Sequence, residues 1–308
     1  MTLVKLRYIV AIVEYGSISL AAERLFISQP SLSATVREIE SEIGAELFLR
    51  SNKGVTLSPE GLEFLGYARQ VLEQADMLER HYFEKKSARG RFSVSTQHYA
   101  FVVNAFVNFI KKHGSDEYEY TLRDAKTYEI LEDVRTLNSE IGVLYINDFN
   151  EKVIMHQLRE YGLTFHALFT AAPHIFVSSR NPLAGKERVS LDDLEEYPRL
   201  SFEQGEYNSF YYSEEILSVL PHKRKIWVSD RATIFNLMIG LNGYTVSTGI
   251  ISAELNGGDI VAVPLDVDEK ITVGWIAHKR VLLGRQAGQF VSELTEIAQK
   301  AAPRGKEE

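Results

Sequence analysis

Residues 17–58 constrain this chain more than any other stretch. Ser17 opens a short segment carrying Leu20, Ala21, Ala22 and Leu25, and Ser28 opens another after a brief gap. Serine is a favoured helix N-cap because its hydroxyl accepts a free N–H of the first turn. Pro30 falls in the first turn of the later segment, where a missing N–H costs nothing. Along that segment Leu32, Val36, Ile39 and Ile43 lie within about 60° at 100° per residue, and Gly44 supplies a stop. Upstream, Leu3, Leu6, Val10 and Val13 share one face of a first helix that ends at Gly16. Downstream, Leu47-Phe48-Leu49 alternates as a strand, Ser51-Asn52-Lys53-Gly54 turns, and Val55-Thr56-Leu57 returns. The pattern predicts three helices and a hairpin, with one face of the third helix left outside.

That outward face carries Pro30, Ala34, Arg37 and Ser41, flanked by Ser33, with Gln29 near the helix start. Small polar residues and one arginine can lie flush in a groove and meet base edges and phosphates. The free N–H groups of the helix start also attract phosphate. Arg50 and Lys53 sit at the hairpin turn, where a wing would meet a DNA backbone. On periodicity alone, a three-helix packing unit with a solvated face is the commoner explanation. The hairpin with its basic tip moves the balance toward double-stranded DNA.

The run Ala21-Ala22-Glu23-Arg24-Leu25, then Ser28-Gln29-Pro30-Ser31-Leu32-Ser33, Ile39-Glu40, Ile43-Gly44, Leu47-Phe48-Leu49-Arg50 and Thr56-Leu57-Ser58-Pro59-Glu60-Gly61 is similar to the DNA-binding region of LysR-type transcriptional regulators. The resemblance implies a winged helix-turn-helix over about 1–58. It implies base and phosphate contacts from Gln29, Pro30, Ser31, Ser33 and Arg37, and wing contacts from Arg50 and Lys53. Ala34 stands where many members carry arginine, so the operator sequence does not carry over from relatives.

The net charge of −8 is unusual for a DNA-binding protein. Residues 1–90 hold 11 basic and 12 acidic side chains, leaving 23 and 30 for residues 91–308. The acidity therefore sits in the C-terminal part. The N-terminal part is near neutral, so the placement of a few charges matters more than their sum. The chain has no cysteine, which fits a reducing compartment and excludes disulfides and thiolate chemistry. No run approaches the roughly 18 apolar residues of a membrane span, and no basic-then-apolar leader is visible. A cytoplasmic protein without membrane attachment is expected.

Ser58-Pro59-Glu60 reads as N-cap, first residue and acidic first turn of a helix running to about Lys86. Phe64, Ala68, Val71, Ala75, Leu78 and Tyr82 alternate steps of four and three, a seam of coiled-coil type. At 1.5 Å per residue the helix spans roughly 40 Å. Packing on its own domain would cover that stripe. Pairing with a second copy fits better, because a dimer presents two recognition helices to two half-sites. The resemblance also implies a dimer formed by this helix. Residues 59–90 are expected as linker and hinge, ending in the basic run Lys85 to Arg91.

From residue 91 onward strands and helices alternate, as in a parallel sheet. Phe92–Val94, Tyr118–Leu122 and Ile141–Ile146 read as strands, with helices between them. A second series is expected over about 163–265. It has strands at Phe165–Phe169, Ile175–Val177, Arg199–Phe202, Lys225–Val228 and Tyr244–Thr248, and helices near Phe210–Leu220 and Ala232–Leu241. A strand at Ile271–Ala277 and a helix at about Arg285–Ala301 would return to the first lobe, giving lobe I about 91–162 and 266–302. This resembles the effector domain of the LysR family and the periplasmic-binding-protein fold. The whole is α+β and multidomain.

Open α/β sheets bind ligands at the carboxyl ends of their strands. Ser95, Thr96, Gln97 and His98 follow the first strand, Lys126 and Thr127 the second, and Ser201, Phe202 and Glu203 a strand of lobe II. Free helix N–H groups there suit a carboxylate or another anion. For Ser95, Thr96 and Thr127 plain helix capping is an equal explanation, and His98 is more often a packing residue. Tyr207, Phe210, Tyr211 and Tyr212 either rim the cleft or fill the core.

No Gly-x-Ser-x-Gly elbow, phosphate-binding glycine loop or His-Glu-x-x-His helix appears. The eight histidines form no i,i+4 pair. The expectation is therefore a regulator rather than an enzyme, with no catalytic residues, metal or cofactor. A small-molecule effector would sit between the lobes, and the assembly would be a homodimer or homotetramer that meets RNA polymerase. The alternative is an α/β ligand-binding protein or enzyme with a helical N-terminal domain that does not touch DNA.

Overall fold

The computed structural model describes residues 1–51, 54–83, 90–205, 209–251 and 257–301. The chain divides into two compact units, 1–88 and 89–308.

In the first unit, Thr2, Ser17 and Ser28 each accept a backbone N–H from the first turn of α1 (Leu3–Tyr15), α2 (Ile18–Arg24) and α3 (Gln29–Ile43). Gly44 ends α3 at φ 71°, a left-handed conformation that glycine adopts without steric cost. Ile9, Ile12, Ala21, Leu32, Val36, Ile39 and Leu47 are fully buried where the three helices meet. β1 (Phe48–Ser51) and β2 (Gly54–Leu57) pair antiparallel, from Phe48 opposite Leu57 to Ser51 opposite Gly54. α4 (Pro59–Phe83) follows, with Ser58 Oγ accepting the Gly61 N–H at 2.8 Å. Gly61 is obligatory: a Cβ there would lie 2.1 Å from the Leu47 carbonyl oxygen.

The expected seam of α4 divides between two directions. Phe64 and Ala68 face α1, where Ala68 and Leu72 pack against Leu6, with Val10 and Phe64 beside them. Val71 and Leu78 stay 47% and 60% exposed, and Tyr67 joins them at 63%. Ala75 lies half-buried between the two directions. Only the backbone of Tyr82 is described. One apolar stripe therefore serves two directions, because α1 claims Phe64 and Ala68 and leaves Val71 and Leu78 outside.

The second unit holds two five-stranded sheets. The first is ordered β4-β3-β5-β12-β6, from β3 (Gly90–Thr96), β4 (Tyr118–Asp124), β5 (Ile141–Ile146), β6 (Leu163–Ala171) and β12 (Ile271–His278). β3 runs parallel to β4 and β5, while β12 is antiparallel to β5 and β6. Every residue of β5 is buried: Ile141, Val143 and Tyr145 join one cluster, Leu144 and Ile146 another. Both faces are covered, as a parallel sheet requires. α5 (Ala100–His113) and α9 (Arg285–Ala301) pack on one side around Phe92, Phe106, Phe109 and Phe290. Residues of α6 (Thr127–Arg135) and α7 (Glu151–Glu160) join the other cluster. The second sheet is ordered β11-β7-β10-β8-β9, from β7 (His174–Ser178), β8 (Arg199–Phe202), β9 (Lys225–Val228), β10 (Tyr244–Ser247) and β11 (Ile260–Pro264), with α8 (Arg231–Leu241) against it.

Two expectations need correction. The strand at 163–171 belongs to the first lobe, because its partner is β12, so the lobes divide at Ala172-Pro173 and not near residue 163. No helix covers 210–220; a single 3-10 turn spans Phe210–Tyr212. The buried Arg199 guanidinium donates to the carbonyls of Ile216 and Leu217 at 2.9 and 2.8 Å, and Leu217 is left-handed at φ 58°. Those carbonyls face the arginine, and the left-handed residue interrupts any helix.

Candidate DNA interface and effector cleft

On α3, Gln29, Pro30, Ser31, Ala34 and Arg37 are exposed above the apolar core. Ser33 is not. It is buried, its hydroxyl accepts the Gln29 side-chain amide at 2.8 Å, and its carbonyl accepts Arg37 Nε at 3.4 Å. A direct base contact from Ser33 is therefore corrected: it braces Gln29 and Arg37, one turn to either side. The α2–α3 turn carries Phe26 at φ 55°, 95% exposed. Glu40, on the inner end of α3, accepts the N–H groups of Leu47 and Phe48 at 2.8 and 3.3 Å. This fixes the hairpin to the recognition helix, a role the sequence pattern did not reveal. Arg50 pairs with Val55 through the backbone and its side chain is not described; Lys53 lies outside the described residues.

In the second unit the strand ends converge as expected, but their side chains have divided tasks. Ser95 is committed elsewhere: its hydroxyl donates to Asp133 at 2.6 Å and lies 2.8 Å from the Ser139 hydroxyl, holding β3 to α6. Thr96 donates to the Gln97 carbonyl at 2.8 Å. Gln97 is an internal brace: its side-chain Oε1 accepts the Tyr145 N–H at 3.1 Å, and its side-chain amide donates to the Thr127 hydroxyl at 2.6 Å. Thr127 is not the cap of α6 but its first helical residue, preceded by Lys126. Ser201 is buried, and its hydroxyl has no partner among the described residues.

His98, Lys126, Phe202 and Glu203 do meet across the lobes. The His98 ring stacks on Phe202 at 3.8 Å, and Lys126 reaches Glu203 at 3.3 Å. Arg231, at the start of α8, grips both oxygens of Asp124, at the end of β4, at 2.7 Å. The sequence pattern missed Asp124 and Arg231, and also Gln204, Glu214 and Glu215. Glu214 bonds to His98 at 2.8 Å. Burial opposes protonation of His98, but the hydrogen bond and charge of Glu214 outweigh it, so its pKa lies above the ordinary value. Glu215 is fully enclosed, and burial, reinforced by the charge of Glu214, pushes its carboxyl up to about 8. One of its oxygens accepts the Phe202 N–H at 2.8 Å; the other is unpartnered among the described residues. Tyr207 lies outside the described residues, while Tyr211 and Tyr212 face Phe149 and Tyr128 of lobe I.

Among the described residues, no group of three or more His, Asp or Glu is placed to hold a metal ion, and no helix is long and apolar enough to cross a membrane.

Comparison with known proteins covers both units. Residues 3–62 match the family model "Bacterial regulatory helix-turn-helix protein, lysR family", and residues 121–299 match "LysR substrate binding domain". The HTH-type transcriptional regulator YnfL of Escherichia coli is 28% identical over 282 residues, covering 88% of this chain and 90% of that protein. AlsR of Bacillus subtilis is 25% identical over 261 residues, 81% of this chain and 78% of its own length. Among solved structures, full-length CbnR complexed with its target DNA superposes with a TM-score of 0.54 at 19% identity, over 96% of this chain and 100% of that one. The Corynebacterium glutamicum OxyR C206 mutant gives a TM-score of 0.53 at 20% identity, over 97% and 92%. These structures share the fold.

Proposed function

The chain belongs to the LysR family of bacterial transcriptional regulators, and from that membership we propose how its residues read DNA and respond to a ligand. It is a DNA-binding regulator with a substrate-binding domain of LysR type behind the helix-turn-helix. α3 enters the major groove with Gln29, Pro30, Ser31 and Arg37 toward the DNA, Ser33 bracing them, and Arg50 and Lys53 of the wing on the phosphate backbone. One observation carries this reading: the polar ridge of α3 stands exposed over a core in which Leu32, Val36 and Ile39 are fully buried. Such a rigid base holds side chains in register with base edges.

The exposed Tyr67, Val71 and Leu78 of α4 supply a face for a second copy, which gives the near-neutral reading unit its second half-site. A small molecule held between the lobes, near His98, Lys126, Thr127, Phe202 and Glu203, controls the assembly. That control requires different affinity for two assembly states, since tight binding alone shifts nothing. The protein acts in the cytoplasm, catalyses no reaction, and influences transcription through RNA polymerase at its operators.

Footprinting on the DNA upstream of its own gene, at low salt, tests the regulatory reading. A protected site is expected, and Arg37→Ala should weaken it by about 1–3 kcal/mol, the worth of a good base contact. No protection at any concentration overturns the reading; unchanged affinity in Arg37→Ala overturns the docking of α3.

A further inference from the structure

The cleft at the start of α5 already holds a carboxylate. Glu214 Oε2 accepts the His98 backbone N–H at 3.0 Å and pairs with His98 Nδ1 at 2.8 Å. Its other oxygen accepts the Gln204 side-chain amide at 3.2 Å, while Gln204 Oε1 accepts the Thr127 N–H at the start of α6 at 3.3 Å. The two strand-to-helix turns of lobe I thus face acceptors supplied by lobe II, the connection after β8. The His98 and Glu214 side chains are 5% and 4% exposed. The surrounding segment is tied to lobe I as well: the Tyr145 hydroxyl donates to the Ser213 carbonyl at 2.9 Å, and Tyr211 stacks on Phe149 at 4.8 Å.

Nothing in the packing alone explains an acid at this place. A buried carboxylate is costly unless donors surround it, and Glu215 beside it is buried too. An apolar side chain would leave the His98 and Gln204 donors unpaired, but an amide would fill the same volume and accept from them without a buried charge. What the arrangement does supply is an anion of fixed position on the His98 N–H and ring and the Gln204 amide, donors suited to a free carboxylate, one residue ahead of the Tyr99 N-cap of α5.

We propose that Glu214 is a built-in ligand of the effector cleft, and that a free carboxylate enters the place at His98 only by exchange with it. The inference rests on the assignment of the cleft as the effector site and names its regulation. A tethered group competes at an effective concentration in the millimolar range or above. A simple carboxylate therefore fails to enter the intact cleft unless it exceeds that level or engages further groups. Exchange would also release the tie between Glu214 and lobe I, so ligand entry and lobe contact are linked through one side chain.

Chemical rescue tests this on the full chain without an effector or DNA. Thermal unfolding is followed in sodium acetate against sodium chloride of equal ionic strength. Glu214→Ala should gain stability with acetate in a saturable way, at a half-saturating concentration at least tenfold below that of the parent protein (on the order expected for removing a tethered competitor). An acetate response equal to that of the parent, or none, overturns the proposal. Should Glu214→Ala fail to fold, Glu214→Gln keeps the shape and removes the negative charge. Its half-saturation should then fall below that of the parent, and an identical response overturns the proposal equally. Because no operator is involved, failure here contradicts the role of Glu214 alone, whereas failure of the regulatory reading appears in the footprint.

Discussion

The N-terminal unit keeps its polar side chains outside, while the C-terminal unit stores them within. Among the described residues of the first unit, only Ser33 and Ser58 are buried polar groups. In the second, Gln97, Thr127, Asp133, Arg199, Glu214, Glu215 and Glu293 are all buried. A DNA reader needs a stiff apolar base and an outward ridge, so its contact residues can change with little effect on folding. A ligand cleft needs convergent polar groups away from water, so the same residues set both stability and response. Polar contacts stand apart from the core in the first unit and form part of it in the second.

Three substitutions probe that contrast. The largest effect should come from Leu32→Ala, at a fully buried position under the recognition ridge. Loss of transfer energy plus a residual cavity should cost about 2–5 kcal/mol. Hydrogen exchange should accelerate across residues 3–57 and DNA retention should fail. Equal acceleration across 90–301 would break the contrast between the units.

Next in size is Glu215→Gln. The buried carboxyl keeps its proton up to about pH 8, whereas its ordinary value is 4.5. Between those values the folded state binds more protons than the unfolded chain, so this group's contribution to stability is full below 4.5 and falls as pH rises toward 8. Glutamine retains an acceptor for the Phe202 N–H and cannot ionise. The variant should melt several degrees above the parent at pH 9 and close to it at pH 4.5. Parallel melting profiles across that range would show that Glu215 is not the stored group described.

The smallest effect belongs to Ser33→Ala, which removes the acceptor of the Gln29 amide. Operator affinity should drop by about 1 kcal/mol, the net worth of one such hydrogen bond, with base preference altered and the salt slope unchanged. Selection from a randomised operator pool measures this. A changed slope with preserved base preference would place Ser33 at a phosphate instead of behind Gln29.

The same contrast explains what the sequence makes legible. Helical period and capping serines place α1, α2 and α3 and their outward ridge, because each signal lies within a few residues of its effect. Ser33 escapes that logic: its neighbours Gln29 and Arg37, four residues to either side, cover it. In the second unit the first three strands and their helices follow from local alternation. So does the strand at Phe165–Phe169, but its place in lobe I does not, since Phe165 pairs with Ile276, more than a hundred residues away. The strand-end residues His98, Lys126, Phe202 and Glu203 were legible as a set, and the fold brings them together. Glu214 was not, because it lies in a segment shaped by Arg199 and by contacts to lobe I that no local period encodes.

The place of β12 also sets an order of events during synthesis. It lies between β5 and β6, so the first sheet stays split until residue 278 has been made. The helix-turn-helix is finished about 200 residues earlier, a lead of roughly 10–40 s at about 5–20 residues per second. The second sheet ends at Pro264, so it too can close ahead of the first. The helix-turn-helix therefore emerges before the substrate-binding domain is whole, and each new molecule passes through an interval in which its DNA-binding part is complete while the first sheet behind it is still open.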